Sequence, residues 1–212
     1  MARPNARNLL LDAAERLFAE RGIPTVSDRQ IADAAGNTNH SAVSYYFGGR
    51  RGLIEALLER HQAGIEPRRR AMFEESDSLL GDIRSVVIPL TSALAELPTP
   101  SWRARFLDQA LHDPPTAELL RSGPLGNPMA GAVARSVVQR LAHLDANIVR
   151  ARAQLTAEII STACARIEEL AEQSGQPARW AEAGTFLCDA LAGLLQAPIT
   201  SDMAPGDSSP DV

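Results

Sequence analysis

The stretch VSDRQIADAAGNTNHSAVSYYFGGRR, residues 26–51, leaves room for two short helices and a turn, and for nothing longer. Ser27 followed by Gln30 forms a capping box: the serine hydroxyl accepts the Gln30 amide N–H while the glutamine side chain reaches back to the serine amide. Val26 and Ile31 fit the apolar staple around that start. Gly36, free to turn left-handed, ends the first helix, predicted over 28–35. Asn39 caps the second, predicted over 40–47, with Val43 and Phe47 one turn apart and facing inward, and Gly48-Gly49 breaks it. Ahead of the pair, a helix over roughly 5–21 carries Leu10, Ala13, Ala14, Leu17 and Phe18 on one face. Behind it, RRGLIEALLERHQAG turns Leu53, Ile54, Leu57 and Leu58 toward the same core. A three-helix helix–turn–helix followed by a connecting helix is a compact module.

No strand-like alternation of useful length occurs anywhere, so the predicted fold class is all-α, a helix–turn–helix domain joined to a larger helical domain. Further helices are predicted near 66–76, 80–96, 101–112, 115–121, 128–143, 145–173 and 178–196, with Pro89 kinking the second of these. The expected domains are 1–50 and 51–198, helix 50–64 connecting them, followed by a flexible tail over 199–212.

At 212 residues, 45 % hydrophobic and 22 % charged, the chain can bury a real core and is globular in composition. Its net charge of −5 is unevenly placed. Residues 1–61 hold 8 Arg against 7 acidic residues, and residues 62–212 hold 13 against 19, so the amino-terminal part can still meet an anionic partner through local arginines. The first leucine run is broken by Asp12 and Glu15, and VVIPLTSALAELP (86–98) is too short and polar to span a bilayer. A cytoplasmic protein with no membrane partner is therefore expected. Cys164 and Cys188 form no CxxC and are expected to be buried small hydrophobes. His61 and His143 are isolated, and there is no GxSxG, phosphate-binding glycine loop or HExxH. No catalytic residue, metal site or cofactor is predicted.

On the second short helix, His40, Ser41, Ser44 and Tyr45 lie opposite Val43 and Phe47. Short polar side chains let a helix lie close in a major groove, where they meet base edges or phosphates. Arg50 sits where a helix amino terminus and a cation would both hold a phosphate. The residues alone fit equally a three-helix subdomain whose tyrosines and histidine coat its surface.

Over residues 9–61 the chain resembles the DNA-binding domain of the tetracycline-repressor (TetR) family of transcriptional regulators. The resemblance lies in the order of features: an alanine-rich first helix ending in Phe18 and Gly22, then TVSDRQIA, Ala35-Gly36, Tyr45-Tyr46-Phe47-Gly48 and GLIEAL. It implies DNA contacts from Arg29 and from His40, Ser41, Ser44, Tyr45 and Tyr46 on the recognition helix, with Arg50 in place of the usual lysine. Ser27 and Asn39, at the two caps, complete the predicted DNA-binding set. The implied partners are double-stranded operator DNA, a second copy of the chain and an unknown small-molecule effector that releases a repressor. Three features depart from the family pattern. Asn37-Thr38 stands where a hydrophobic residue is usual and lengthens the turn by one; Ser44 replaces a frequent tyrosine; Gly49 and Arg51 replace a capping Ser/Thr and an acidic residue. A regulator without a ligand, and a helical-bundle enzyme with a coincidental amino-terminal module, are the alternative readings.

In WAEAGTFLCDALAGLLQ, residues Trp180, Gly184, Leu187, Leu191 and Leu194 step by 4, 3, 4 and 3, a seam for another helix, while Phe186, Ala190 and Gly193 make a second apolar strip. Helix 145–173 also has two apolar sides, one through Leu155, Ile159 and Ala163, the other including Ile167. Such helices fit a dimer interface built from these residues, or the centre of a single chain's core. A ligand pocket is expected among helices 66–143, with Trp102, Phe106, Leu107, His112 and Met129 as candidate walls and Arg103 or Arg105 as anion partner.

Overall fold

The computed structural model describes residues 5–122 and 128–199; of the predicted tail, residues 200–212 lie outside the described residues. Every element described is helical: α1 Ala6–Arg21, a 3-10 turn Ile23–Thr25, α2 Asp28–Ala34, α3 Ala42–Phe47, α4 Arg50–Glu74, α5 Leu79–Ala95, α6 Arg103–His112, α7 Pro114–Ser122, α8 Pro128–Arg140, α9 Ala146–Ser174 and α10 Trp180–Gln196.

The capping box at α2 is present: Ser27 Oγ accepts the Gln30 N–H at 3.3 Å, and Gln30 Oε1 accepts the Ser27 N–H at 2.8 Å. Gly36 and Gly48 take φ of 67° and 72°, as helix stops do. α3 begins later than predicted. Asn37 Oδ1 accepts the Asn39 N–H and Asn39 Oδ1 accepts the Ser41 N–H, each at 3.0 Å, so these asparagines build the turn and the helix starts only at Ala42. Asn39, His40 and Ser41 therefore precede the recognition helix.

The separate helices expected over 50–64 and 66–76 are one helix, α4, with Pro67 inside it. Proline removes one backbone hydrogen bond, yet Ile65 and Arg69 on either side are buried and α4 packs along α5. Tertiary burial carries the helix through.

Two apolar clusters organise the chain. The first joins Leu10, Phe18, Ile31, Val43, Leu53 and Leu57 with Phe106 and Ala110 of α6. The second joins Ile83, Val87 and Leu94 of α5 with α8, α9, α10 and Ala104 of α6. α6 thus contributes to both. Its position is set by Glu168 of α9, which is buried and accepts from Ser101 Oγ at 2.7 Å, Ala104 N–H at 3.2 Å, Arg105 N–H at 3.0 Å and Arg105 Nε at 3.3 Å. A carboxylate from another helix caps the α6 amino terminus. Buried Asp82 does a similar job for α5 and α8, accepting from Ser76 Oγ and Ser136 Oγ at 2.6 Å and from Arg140 Nε at 2.8 Å.

The two apolar strips of α10 are assigned differently from the seam expectation. Trp180, Gly184, Leu187 and Leu191 are buried within their own chain, and Leu194 is half-buried against the same core. A Cβ on Gly184 would lie 2.7 Å from Thr91 Oγ1, so glycine is what lets α10 close onto α5. The outward strip is Phe186, 72 % exposed, with Ala190 and Gly193. On α9, Leu155 and Leu170 are exposed, while Ile159, Ala163 and Ile167 are half-buried against the second core, so only the ends of that line stand free.

Glu168→Ala strands buried donors, so it should lower the unfolding free energy by about 3 kcal/mol. Glu168→Gln, which still offers a carbonyl acceptor, should lose less. Urea midpoints of the two variants against the parent measure this.

Candidate nucleic-acid interface

Of the nine residues predicted to meet DNA, Ser27, Arg29, Asn39, His40, Ser41, Ser44, Tyr45 and Tyr46 are exposed, and Arg50 is not. Val43 and Ala42 anchor α3 from beneath, both buried. Phe47 is half-buried under the Arg7 guanidinium, 5.1 Å from its ring centroid. The Tyr45 and Tyr46 rings meet edge to face at 4.9 Å, and Tyr45 stands 78 % exposed. His40 Nε2 lies 3.0 Å from Asp33 Oδ1, and Arg29 lies 3.9 Å from the same carboxylate. Asp33 thus links the turn to α2. The face offers hydroxyl, imidazole and guanidinium groups to a partner, a set suited to base edges and phosphates.

Arg50 has a different role from the one predicted. Its guanidinium lies 4.7 Å from the Phe18 ring centroid, its Nη1 is 3.2 Å from Asp28 Oδ1, and it also donates to the Ile23 carbonyl. It ties α1, the 3-10 turn and α2 to the start of α4. Its neighbour Arg51, not singled out as a contact, is the exposed cation, paired only with Glu55 at 2.9 Å. Helical phase distinguishes them in retrospect: Arg50 precedes buried Leu53 and Ile54 by one turn and shares their face. Surface pairs of this kind contribute little, so Arg51 can exchange its partner for a phosphate at small cost. Gly52 admits α3 beside α4, because a Cβ there would meet the Phe47 carbonyl oxygen at 1.9 Å.

Of the predicted ligand residues, Trp102 and Arg103 line one cavity at the start of α6, and the others are dispersed. Phe106 is fully buried, its ring centroid 6.1 Å from Phe18 and 5.4 Å from His61. His112 is exposed with Nδ1 2.8 Å from the Asp108 carbonyl oxygen, and Met129 is half-buried on α8. Leu107 alone lines an apolar cavity, of about 210 Å³, with Leu90, Ala104, Leu111 and Leu120. A second cavity of about 210 Å³, lined by Ile83, Val133, Ala153 and Leu195, shares Val86, Ala157 and Ile160 with the first. Alanines at 130, 134, 153 and 157 make this space, which no sequence motif marks. An apolar guest fits such walls. Cys164, in the first cavity's wall, has its thiol pushed up to about 12 by burial, so it stays protonated.

Where α1, α4 and α6 meet, charges are buried. Arg60 lies 2.5 Å from Asp12 and also pairs with Glu15, while Arg103 Nε lies 3.8 Å from Glu15. Burial raises the Glu15 carboxyl above its ordinary range, with Arg60 and Arg103 opposing. His61 is 2 % exposed, neither ring nitrogen has a hydrogen-bond partner, and Nε2 is 3.6 Å from Glu15. Burial, and then Arg103 and Arg60, hold its imidazole well below the usual 6.5.

Among the described residues no group of acidic, histidine and cysteine side chains could hold a metal ion, and no helix is long and apolar enough to cross a membrane. An exposed recognition helix packed on a three-helix module, beside a larger helical domain with apolar cavities, defines a helix–turn–helix protein. Residues 10–57 match the family of bacterial regulatory proteins described as tetR. The transcriptional regulator BetI of Burkholderia mallei is 31 % identical over 119 residues, covering 54 % of this chain and 60 % of that protein. TtgR of Pseudomonas putida is 28 % identical over 107 residues, 50 % of this chain and 49 % of that one. The matches thus span less than two thirds of these relatives' length. A solved structure described as a tetR family transcription regulator, from Shewanella sp. PV-4, shares the fold with TM-score 0.58 at 16 % identity, over 88 % of this chain and 97 % of that one. The amino-terminal domain is thus of the TetR type, and the chain as a whole has the fold of that Shewanella regulator.

His61 gives a pH signature. Its folded value is depressed, so below about pH 6.5 the unfolded chain takes a proton that the folded chain refuses. The stability it supports is complete above that pH and falls as the pH drops below it. Glu15, raised in the fold, acts in the opposite sense: the folded chain binds its proton more readily above the usual 4.5. Subtracting the stability–pH curve of His61→Leu from that of the parent should isolate a loss below pH 6.5. At neutral pH His61→Leu should be neutral or stabilising, since it removes two unpaired buried nitrogens.

Proposed function

We propose that this chain is a DNA-binding transcriptional regulator that sits on an operator as a dimer and is released by an apolar small molecule. The observation that carries the reading is the exposure of Ser44, Tyr45 and Tyr46 on a short helix held by fully buried Val43. The adjoining cavities under α5, α8 and α9 favour a ligand-responsive regulator over one without a ligand. The outward apolar strip of α10 and the Leu155 line of α9 are a self-complementary surface for a second copy. Two recognition helices must then stand about 34–36 Å apart to enter successive major grooves.

The lever runs through α6. An effector wedged against Ala157 and Ile160 bears on α9, whose Glu168 holds the amino terminus of α6. Phe106 of α6 packs on Phe18 of α1, and Arg50 lies over the same Phe18 ring. A conformer with altered α6 alters the seat of the helix–turn–helix. The effector favours it only by its differential affinity, a coupling of about 1–3 kcal/mol in such systems.

A gel shift on DNA flanking the chain's own gene tests this, and the shift should weaken as salt rises. Tyr45→Ala and Arg51→Ala should each weaken it by about 1–3 kcal/mol while leaving the unfolding midpoint unchanged. Arg50→Ala should lower the midpoint itself, by about 1–2 kcal/mol in stability, through lost stacking and pairing. Undiminished binding by both the Tyr45 and Arg51 variants would remove α3 and the start of α4 from the interface.

A further inference from the structure

The junction of α1, α4 and α6 borders an open cavity of about 360 Å³, lined by Asp12, Glu15, Arg60, Trp102 and Arg103, with Leu97, Pro98, Pro100 and Ser101. It is chemically unlike the apolar cavities and shares none of their lining described above. Arg60 claims both carboxylates, Asp12 and Glu15. Arg103 is left with one long approach to Glu15 at 3.8 Å and makes no hydrogen bond among the described residues, although its side chain is only 17 % exposed. The adjacent Trp102 indole N–H is buried without an acceptor, as are Arg103 Nε and Arg60 Nε. Behind Glu15 stands His61 with both ring nitrogens unpaired. Buried donors are almost always satisfied, and this concentration of unsatisfied ones marks a polar network that lacks a member.

We propose that this cavity is a second small-molecule site, and that it takes a monocarboxylate with a small aromatic or aliphatic body. The missing member is an acceptor, since the orphans at Trp102 and Arg103 are N–H groups. A carboxylate matches a guanidinium in two parallel hydrogen bonds, and a modest rotation of Arg103 in the cavity wall presents that fork. A cation finds no free partner, because both acids are already held by Arg60. A dianion such as phosphate would place its second charge against Asp12 and Glu15. The body of the ligand has Leu97, Pro98, Pro100 and the Trp102 ring to lie against. The site bridges α1 of the DNA-binding module and the start of α6, so an occupant braces the two parts against each other.

The inference goes beyond the proposed regulator function, and its test uses no DNA. Benzoate, added at millimolar concentration to the full chain, should raise the thermal midpoint by a few degrees through mass action on the folded state. Benzamide, of equal size and uncharged, should not. The benzoate shift should vanish in Arg103→Gln and persist in Ala157→Leu, which fills the apolar cavities instead. Should Arg103→Gln fail to fold, Trp102→Phe, which removes the indole N–H and keeps an aromatic ring, should reduce the shift. No benzoate shift in the parent, an equal shift by benzamide, or a shift that survives both Arg103→Gln and Trp102→Phe overturns the proposal. Loss of the shift in Ala157→Leu with retention in Arg103→Gln overturns it too, by placing benzoate in the apolar cavity.

Discussion

The buried carboxylate of Glu168 is the contact on which the arrangement of the two halves depends. A charge in the interior must be fully hydrogen-bonded, and Glu168 meets that demand with donors from one place only, the start of α6. The demand is geometric as well as energetic. Two of the donors are backbone N–H groups, so α6 cannot slide along α9 without leaving the carboxylate unpaired. Once α6 is placed, its far side delivers Phe106 and Ala110 into the core of α1–α4. Asp82 fixes α5 against α8 by the same logic. Between helices pinned at these points, alanines leave space that neighbouring side chains do not fill, and the cavities follow.

The amino-terminal module solves a different problem, which is stability with very short helices. α2 and α3 are far too short to persist alone. The capping box, the asparagine turn and the glycine stops fix their ends, and buried Ile31 and Val43 fix their faces. Arg50 completes the set from beneath by stacking on Phe18 while pairing with Asp28. A cation committed to the interior cannot also reach a phosphate. The surface charge therefore falls to Arg29 and Arg51, each paired in the free chain with an acid four residues on.

What could be read from the sequence was local. The capping box, the helix stops, the all-α class and the inward Val43 follow from neighbours a few residues apart, and the structure has them. The start of α3 did not follow, because two asparagines in succession built a turn where one was expected to cap. The break expected between residues 64 and 66 did not occur, because burial of Ile65 and Arg69 carries α4 past Gly64 and through Pro67. The strips of α10 could not be told apart from spacing, since both are apolar, and only the close approach at Gly184 identifies the inner one. Glu168 reads as an ordinary helix surface charge, its partners lying more than sixty residues away in the chain. Cavities are the hardest case, being made by what small residues lack.

α9 joins these themes, because it is apolar outward and holds Glu168 inward. A second copy docked on the Leu155–Leu170 face would hold α9 as a fixed post, and with it the amino terminus of α6. Any wedge between α5 and α9 must then displace α5 or α6, because α9 is braced from outside. α5 is pinned by Asp82 and by the close contact at Gly184, and α6 is tied to α9 by Glu168, by the Arg105–Glu172 pair and by Asp108, which accepts from Ser161 and Thr162, so a shift at the α9 wall is passed to α6. Motion of α6 is motion of the floor under α1. On the proposed reading, dimerisation does more than double the number of recognition helices. A common, rigid centre would turn local strain at a cavity wall into a change in their spacing, because each α1 would move relative to it.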